Sequence, residues 1–483
     1  MLDDLVHARI ESDDFPCDAL QVFEVMGREA AGELFSFSIG VVFTGTEGLD
    51  LAAVEGATAS IVFEAAGEEV RRVHGMIAQI DDLLDTEPNT RGYVLLLVPR
   101  AHRLTLVRTQ EIFMDLSVRE IITRKLDLVG LGAADVEMRL TGTYAAREFV
   151  VQYKETDLAF ISRLAEHEGI TFFFEHEGGS DKMVFSDDNG GFRAADGHAT
   201  AFFQARGEQR DVHKIRARTQ VVPRLHVVHD YNYRVPLVDP SGTAECASGQ
   251  AGGLVEYGAH VKTPAEAAHI ATLRAQRTEA THHVYTLEAD LGWISAGRRF
   301  TLEGHPKLGD TTLIVTEIEH RLRQPVGLHG GQTVIAYGNT FRAIDASVPF
   351  RPPRVTAQPK IHGVINAVVA HEIEGTESLF GRLDADGRYL VRMMFDTSQA
   401  GDRQLVSRRI RMAQPHAGPN YGHHFPLTPG TEVLIAFIDG DPDRPIIMAA
   451  VPNPIASSPV AQNCAPAHRI KTATGILIEM KDA

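Results

Sequence analysis

Positive charge, cysteine and long apolar runs are what this sequence has little of. Across 483 residues, 64 acidic side chains outnumber 47 basic ones, for a formal net charge of −17. Non-specific binding to nucleic acid by counterion release needs a cationic surface, so the net charge argues against that role. Cys17, Cys246 and Cys464 stand far apart with no CxxC. They supply neither a disulfide framework nor a zinc ribbon, and they fit a reducing compartment. No apolar run reaches the roughly 18 uninterrupted residues of a transmembrane helix. The opening "MLDDLVHARIESDDFP" lacks the basic and apolar regions of a signal peptide. Synthesis and assembly in the cytoplasm are therefore expected, with any exit by another route. No internal repeat has a clear period. GxSxG, the P-loop, GxGxxG and SxxK are all missing.

What is present is mostly strand. "ALQVFEVMG", "LFSFSIGVVF", "ATASIVFEA" and "RGYVLLLVPR" are short β-branched and aromatic runs separated by Gly, Glu or Asp. That spacing predicts antiparallel sheet in barrels or sandwiches. Three helices interrupt it. Ser117 and Glu120 form a capping box ahead of Ile121, Ile122 and Leu126, with a stop by Gly130. A second helix starts at Thr156-Asp157, carries Leu158, Ile161, Leu164 and Ala165 on one stripe, and ends at Gly169. A third starts at Thr263, with Pro264 at the first helical position and Glu266 at the third.

Length predicts about three domains. Four prolines between Pro349 and Pro359 mark a boundary, because proline continues neither a ladder nor a helix. Beyond it, "IHGVINAVVA", "GRYLVRMMF", "RRIRMAQP", "TEVLIAFI" and "PIIMAAV" suit a five-stranded barrel of the oligonucleotide/oligosaccharide-binding (OB) type. Residues 355–455 hold nine basic and eleven acidic side chains and no evident aromatic row, which argues against nucleic acid here too. "NCAPAHRIKTATGILIEMKDA" opens a new β pattern, and the chain is expected to be truncated there.

Three polar clusters invite a functional reading. Asp439, Asp441 and Asp443 match the first positions of a calcium loop, but Arg444 replaces its glycine and Ala450 its closing glutamate. A turn between two strands is the better reading, with Arg444 pairing locally. His167, Glu168, His176 and Glu177 miss HExxH because Thr171 stands where the second histidine belongs. His416, His423 and His424 lie in a Gly/Pro-rich loop without a cysteine or close carboxylate to complete a ligand set. No catalytic residue, cofactor-binding residue or metal ligand is assigned, and no cofactor is expected.

Several long motifs also occur in a characteristic order. They are "RIESDDFPCDALQVFEVMGREAAGELFSFSI", "REFVVQYKETDLAFISRLAEHEGITFFFEH", "HDYNYRVP", "PFRPPR", "DADGRYLVRMMFD", "AGPNYGHHFPLTPGTEVLIAF" and "GDPDRPIIMAAVPNP". Together the chain resembles the VgrG family, the spike proteins of type VI secretion systems, over essentially its whole length. Two departures are mild: "MMFD" stands where the family has an aromatic-rich stretch, and "PLTPGTEV" lacks the usual arginine before its glycine.

The resemblance implies a mainly β fold with a few helices, like a phage baseplate hub fused to a tail spike. Residues 1–350 would hold two related β-barrels with helical insertions, 351–360 a proline-rich linker, 361–455 the OB-fold barrel, and 456–483 the start of a trimeric β-helix. It further implies a homotrimer that caps the hexameric Hcp tube, meets baseplate proteins, carries effectors and a PAAR-like tip protein, and is driven through a target membrane and out of the cell. Two barrels in each of three chains would match sixfold symmetry. The alternatives are the hub-spike of a phage or tailocin, and an effector-bearing enzyme such as a peptidoglycan hydrolase or toxin. The chain is expected not to be an enzyme.

Overall fold

Alternating burial shapes the first sheet, as a strand with one covered face requires. The computed structural model describes residues 5–44, 48–84, 91–204, 211–326, 336–370, 380–381, 383–397 and 409–481. The chain forms two compact units. Residues 1–106, 122–143 and 161–356 make the first, and 107–121, 144–160 and 357–483 make the second.

The first unit begins with six strands: β1 (His7–Glu11), β2 (Leu20–Ala30), β3 (Ser36–Phe43), β4 (Thr58–Ala65), β5 (Glu68–Leu83) and β6 (Arg91–Val98). Their order across the sheet is β1-β4-β5-β6-β3-β2. Phe37, Ile39, Ile61, Phe63 and Leu95 are fully buried within it. Full burial contributes about 1.5–3 kcal/mol for each such side chain. A bulge between Val22 and Glu24 re-phases β2, so that Val25, Gly27 and Glu29 turn inward. Gly27 faces Phe37 across the ladder, and a Cβ there would lie 2.2 Å from that ring.

Six further strands follow: β7 (Thr200–Phe202), β8 (Val212–Thr219), β9 (His283–Ala289), β10 (Arg299–Glu303), β11 (Thr311–Arg323) and β12 (Ala336–Asp345). Across the sheet they run β7-β10-β11-β12-β9-β8. Counted from the first strand of each set, both sets have the same order, 1-4-5-6-3-2. The one difference in direction is the outermost pair, antiparallel for β1–β4 and parallel for β7–β10. Leu287, Phe300, Leu302, Leu313 and Phe341 fill the second core. β2 pairs antiparallel with β11, which joins the two sets into one sheet.

The helices occur where the caps place them. α1 (Val118–Leu128) follows Ser117, whose N–H donates to Glu120 at 2.7 Å while Glu120 N–H donates back to Ser117 Oγ at 3.3 Å. α2 (Asp157–Glu168) ends at Gly169, whose φ of +71° is the left-handed stop. α3 (Pro264–His282) is capped by the Thr263 hydroxyl, which accepts from Glu266 N–H at 3.2 Å. It packs on a small sheet of Pro223–His229, Ser241–Glu245 and Ala251–Tyr257 through Val228, Ala267, Ile270 and Ala271. A Cβ on Gly242 would meet Ala268 N at 2.1 Å, so only glycine lets the helix backbone come this close. No described helix is long and apolar enough to cross a membrane.

The second unit holds the small barrel. β13 (Val364–Val369), β14 (Tyr389–Met393), β15 (Arg409–Ile410), β16 (Glu432–Phe437) and β17 (Pro445–Ala450) lie in the order β15-β14-β13-β16-β17. Met412, just past β15, bridges to Ile447 of β17, and this brings the two edges of the sheet together. Val369, Tyr389, Val391, Val433 and Ile435 are the core. The strands Arg108–Phe113 and Val150–Thr156 pair with each other, and their Ile112 and Tyr153 pack on this core. The proline-rich boundary therefore accounts for only part of the division. The split falls between Thr356 and Ala357, within that segment, but residues 107–121 and 144–160 also belong with the barrel.

Where β2, β5, β11 and β12 meet, the core is ionic. Arg71 donates twice to the Glu29 carboxylate, at 2.7 and 2.8 Å, and His320 Nε2 lies 2.8 Å from the same carboxylate. Tyr337 OH lies 2.9 Å from His320 Nδ1. The side chains of Glu29, Arg71 and His320 are 5%, 7% and 1% exposed, so each charge depends on its partner. Glu29→Ala would leave the Arg71 guanidinium buried without its carboxylate. The expected loss is about 3–5 kcal/mol, read as a lower denaturant midpoint. An unchanged midpoint would remove the cluster from the account of stability.

The same cluster carries a pH dependence. Burial pushes the Glu29 carboxyl up, but the Arg71 charge and the His320 and Arg71 hydrogen bonds outweigh it and hold it at about 2. That lies below the ordinary glutamate value of 4.5, so the stabilisation is complete above the ordinary value and is lost as pH falls toward about 2. Between neutral pH and about pH 3, the wild type should lose more stability than Glu29→Gln, which has no carboxylate to protonate. Equal losses would contradict this.

Candidate assembly surfaces

A lone hairpin ends the described chain. β18 (Ala467–Lys471) pairs with β19 (Leu477–Lys481) around a turn in which Gly475 has φ +99°. Directly opposed residues share a face, so Ile470–Ile478 and His468–Met480 lie on one side. The other side carries the Arg469–Glu479 ion pair at 2.5 Å and the Lys471–Leu477 pair. Ile470, Ile478 and Met480 are 47%, 57% and 63% exposed. A two-stranded hairpin is at best marginally stable by itself, and three large apolar side chains on one face need a cover.

A second uncovered face belongs to the small sheet under α3. Its inner side chains, His226 and Val228, are buried, whereas Leu225, Val255 and Tyr257 on the opposite face are exposed. Glu256 points the other way and holds Arg274 of α3 at 2.7 Å and Arg354 at 2.7 Å. Burial pushes its carboxyl up, but these arginines hold it at about 2.

The polar clusters singled out in the sequence make contacts within the fold. The aspartate run joins β16 to β17. Asp441 Oδ1 accepts from Asp443 N–H at 3.0 Å, its Oδ2 lies 3.3 Å from Arg444 Nε, and Asp443 accepts the Val151 N–H at 2.7 Å. The loop is therefore a strand connection that also fastens Val150–Thr156. His167 lies in the last turn of α2, where its carbonyl accepts from Arg274 at 3.0 Å. His176 follows the buried strand Thr171–Glu175, and its ring lies edge-on to Phe35. His416 and His423 flank a two-residue-per-strand hairpin with ring centres 6.1 Å apart, while His424 stacks on Tyr389. In "MMFD", Met393 is buried and Phe395 packs edge-on to Tyr153.

Sequence reasoning missed the Glu29–Arg71–His320 cluster. Its one local signal was a glutamate at an inward position of an apolar strand, two residues beyond Gly27. It also missed the burial of Arg298, which holds Glu175 at 3.2 Å and also pairs with Glu177.

A six-stranded pattern is used twice and is followed by a five-stranded barrel, and each part matches a known family. The model of the phage tail baseplate hub (GPD) matches residues 28–326, and that of the type VI secretion system/phage-baseplate injector OB domain matches residues 383–451. The chain is 30% identical over 445 residues to the type VI secretion system spike protein VgrG1a of Pseudomonas aeruginosa, covering 90% of this chain and 68% of that one. It is 31% identical over 450 residues to VgrG5 of the same organism, covering 88% and 55%. The chain belongs to the VgrG family of type VI secretion system spike proteins. It spans about half to two thirds of the length of these relatives. The solved structure of the E. coli c3393 protein, described as a type VI secretion component similar to bacteriophage T4 tail proteins, shares the fold. Its TM-score is 0.66 at 22% identity, over 92% of this chain and 99% of that one.

The Asp443 contact is testable. Asp443→Ala leaves the Val151 N–H buried without this acceptor, and the expected cost is about 1–3 kcal/mol in chemical unfolding. A variant as stable as wild type would mean the aspartate run only shapes its own turn.

Proposed function

We propose that three copies of this chain close around one axis to form the spike of a contractile type VI machine. The carrying observation is the strand order 1-4-5-6-3-2 occurring twice in the first unit. Two like barrels in each of three chains make six similar faces, which suits the end of the hexameric Hcp tube. In this reading residues 1–350 are the hub, 351–360 the linker, 361–455 the OB barrel and 456–483 the entry to a three-chain β-helix. The uncovered Ile470, Ile478 and Met480 face supports the last assignment, because equivalent hairpins from two other copies would bury it.

The spike would be made in the cytoplasm, seat on the baseplate, carry effectors and a PAAR-like tip protein, and leave through the machine it caps, piercing the target membrane. The chain acts as structure and not as a catalyst. Supporting that reading, the Asp439–Asp443 run and the His167–Glu177 stretch take part in contacts that hold the fold. Ownership by a secretion system rather than a phage tail rests on relatives of 30% and 31% identity that are both secretion spikes.

Sedimentation or mass photometry at micromolar concentration should give a particle of three times the 52.9 kDa chain. Ile478→Asp should shift it to single chains with an unchanged circular dichroism spectrum. A wild type that is monomeric, or a variant that stays trimeric, would count against the hairpin as the trimer contact.

A further inference from the structure

The small sheet under α3 ends on a free edge. Its strand Ala251–Tyr257 pairs parallel with Pro223–His229, on one side only. The register runs unbroken from Leu225–Gly253 to His229–Tyr257, and Gly258 N–H donates to the His229 carbonyl at 3.0 Å. The Tyr257 carbonyl shares that peptide plane and points the opposite way, to the open side. Backbone groups of successive strand residues alternate sides, so Gly253, Val255 and Tyr257 turn their N–H and C=O groups outward. Among the described residues these three N–H and three C=O groups have no partner.

Two other edge strands of this unit are protected. β8, at the end of the large sheet, carries exposed Lys214, Arg216 and Arg218, and charges of this kind keep other strands away. Ser241–Glu245, at the opposite edge of the small sheet, is short and lies against α3 at Gly242. Ala251–Tyr257 has neither device. It holds no lysine or proline, and its one charged side chain, Glu256, is turned inward to Arg274 and Arg354. On the outer face Val255 and Tyr257 are 71% and 58% exposed, and the Tyr257 ring lies 4.8 Å from that of His229. With Leu225 they form an apolar face that stops at this edge. An added strand would meet the row of backbone groups and extend that face.

We propose that Ala251–Tyr257 takes an added β-strand from a partner protein, an extended uncharged segment with apolar side chains at alternate positions. Another extended backbone offers acceptors and donors at the spacing of Gly253, Val255 and Tyr257, and the alternate side chains supply the selectivity. The occupant is not the same edge of a second copy. Two copies joined edge to edge through this strand are related by a twofold axis, and such a pair does not close three chains around one axis. That exclusion rests on the threefold spike proposed above.

The full chain is titrated by calorimetry with the peptide acetyl-Lys-Val-Thr-Val-Thr-Val-Lys-amide, whose end lysines keep it in solution. Amide hydrogen exchange across residues 251–257 is followed by mass spectrometry. Saturable binding is expected, with exchange there slowed about tenfold or more. The fully N-methylated peptide keeps the side chains and loses every backbone donor, and should bind at least about tenfold more weakly. Val255→Lys puts a charge on the edge and should weaken binding about tenfold or more. The N-methyl comparison needs no variant, so it stands even if the substitution disturbs folding. The proposal is overturned if the peptide does not bind, if its N-methylated form binds as tightly, or if exchange across residues 251–257 is unchanged at saturation. Trimers that Val255→Lys splits into single chains would also overturn it, by giving the edge to a neighbouring copy. A single-chain wild type that binds the peptide would remove the threefold spike and leave this edge standing.

Discussion

The pairing of β2 with β11 is the constraint on which the hub depends. It joins two six-stranded sets into one sheet, and the Glu29–Arg71–His320 cluster fastens β5 across the same seam. Hydrophobic contact alone is non-directional and tolerates a slip of register. A buried charge pair does not, because Arg71 Nη2 must meet the Glu29 carboxylate while its Nη1 meets the Ile294 carbonyl. Breaking such a buried pair is expensive, whereas its net contribution over a well-packed apolar alternative is small. Its worth here is the fixing of one set of strands against the other, so that both present their outer faces in a single geometry.

The same logic separates the two kinds of surface on this chain. Inside, charged groups are consumed in pairs such as Arg274–Glu256 and Arg298–Glu175. Outside, apolar groups such as Val255, Ile478 and Met480 are left exposed by the described residues. A chain of net charge −17 that pairs its buried charges and exposes selected apolar faces has the makings of an assembly component. Uncovered sheet faces are hazards unless another copy or a partner covers them. Closure of three copies, as proposed above, would cover such a face.

Legibility varied by element for physical reasons. The starts of α1 and α3 could be placed to the residue because their caps are local: Ser117 with Glu120, and Thr263 with Glu266. The aspartate run read correctly as a turn, since Arg444 and Ala450 break the calcium pattern. Its second task, holding Val151 from 292 positions away, carried no local mark. The strands Arg108–Phe113 and Val150–Thr156 lie within a stretch that reads as hub, yet they pack on the small barrel's core through Ile112 and Tyr153. Nothing in a run of six or seven residues says which of two cores it will cover.

By itself the sequence determined many of the segments that become strands and helices, where the three long helices start, and that the product is acidic and mainly β. Those properties depend on neighbours a few residues away, through alternation, capping and turn chemistry. Only the tertiary structure decided the strand order shared by the two sets, the meeting of Glu29 with His320 across 291 positions, and the pairing of buried Arg298 with Glu175 and Glu177. Those depend on how distant segments close on one another, and a linear pattern does not encode which inward side chain will find which partner.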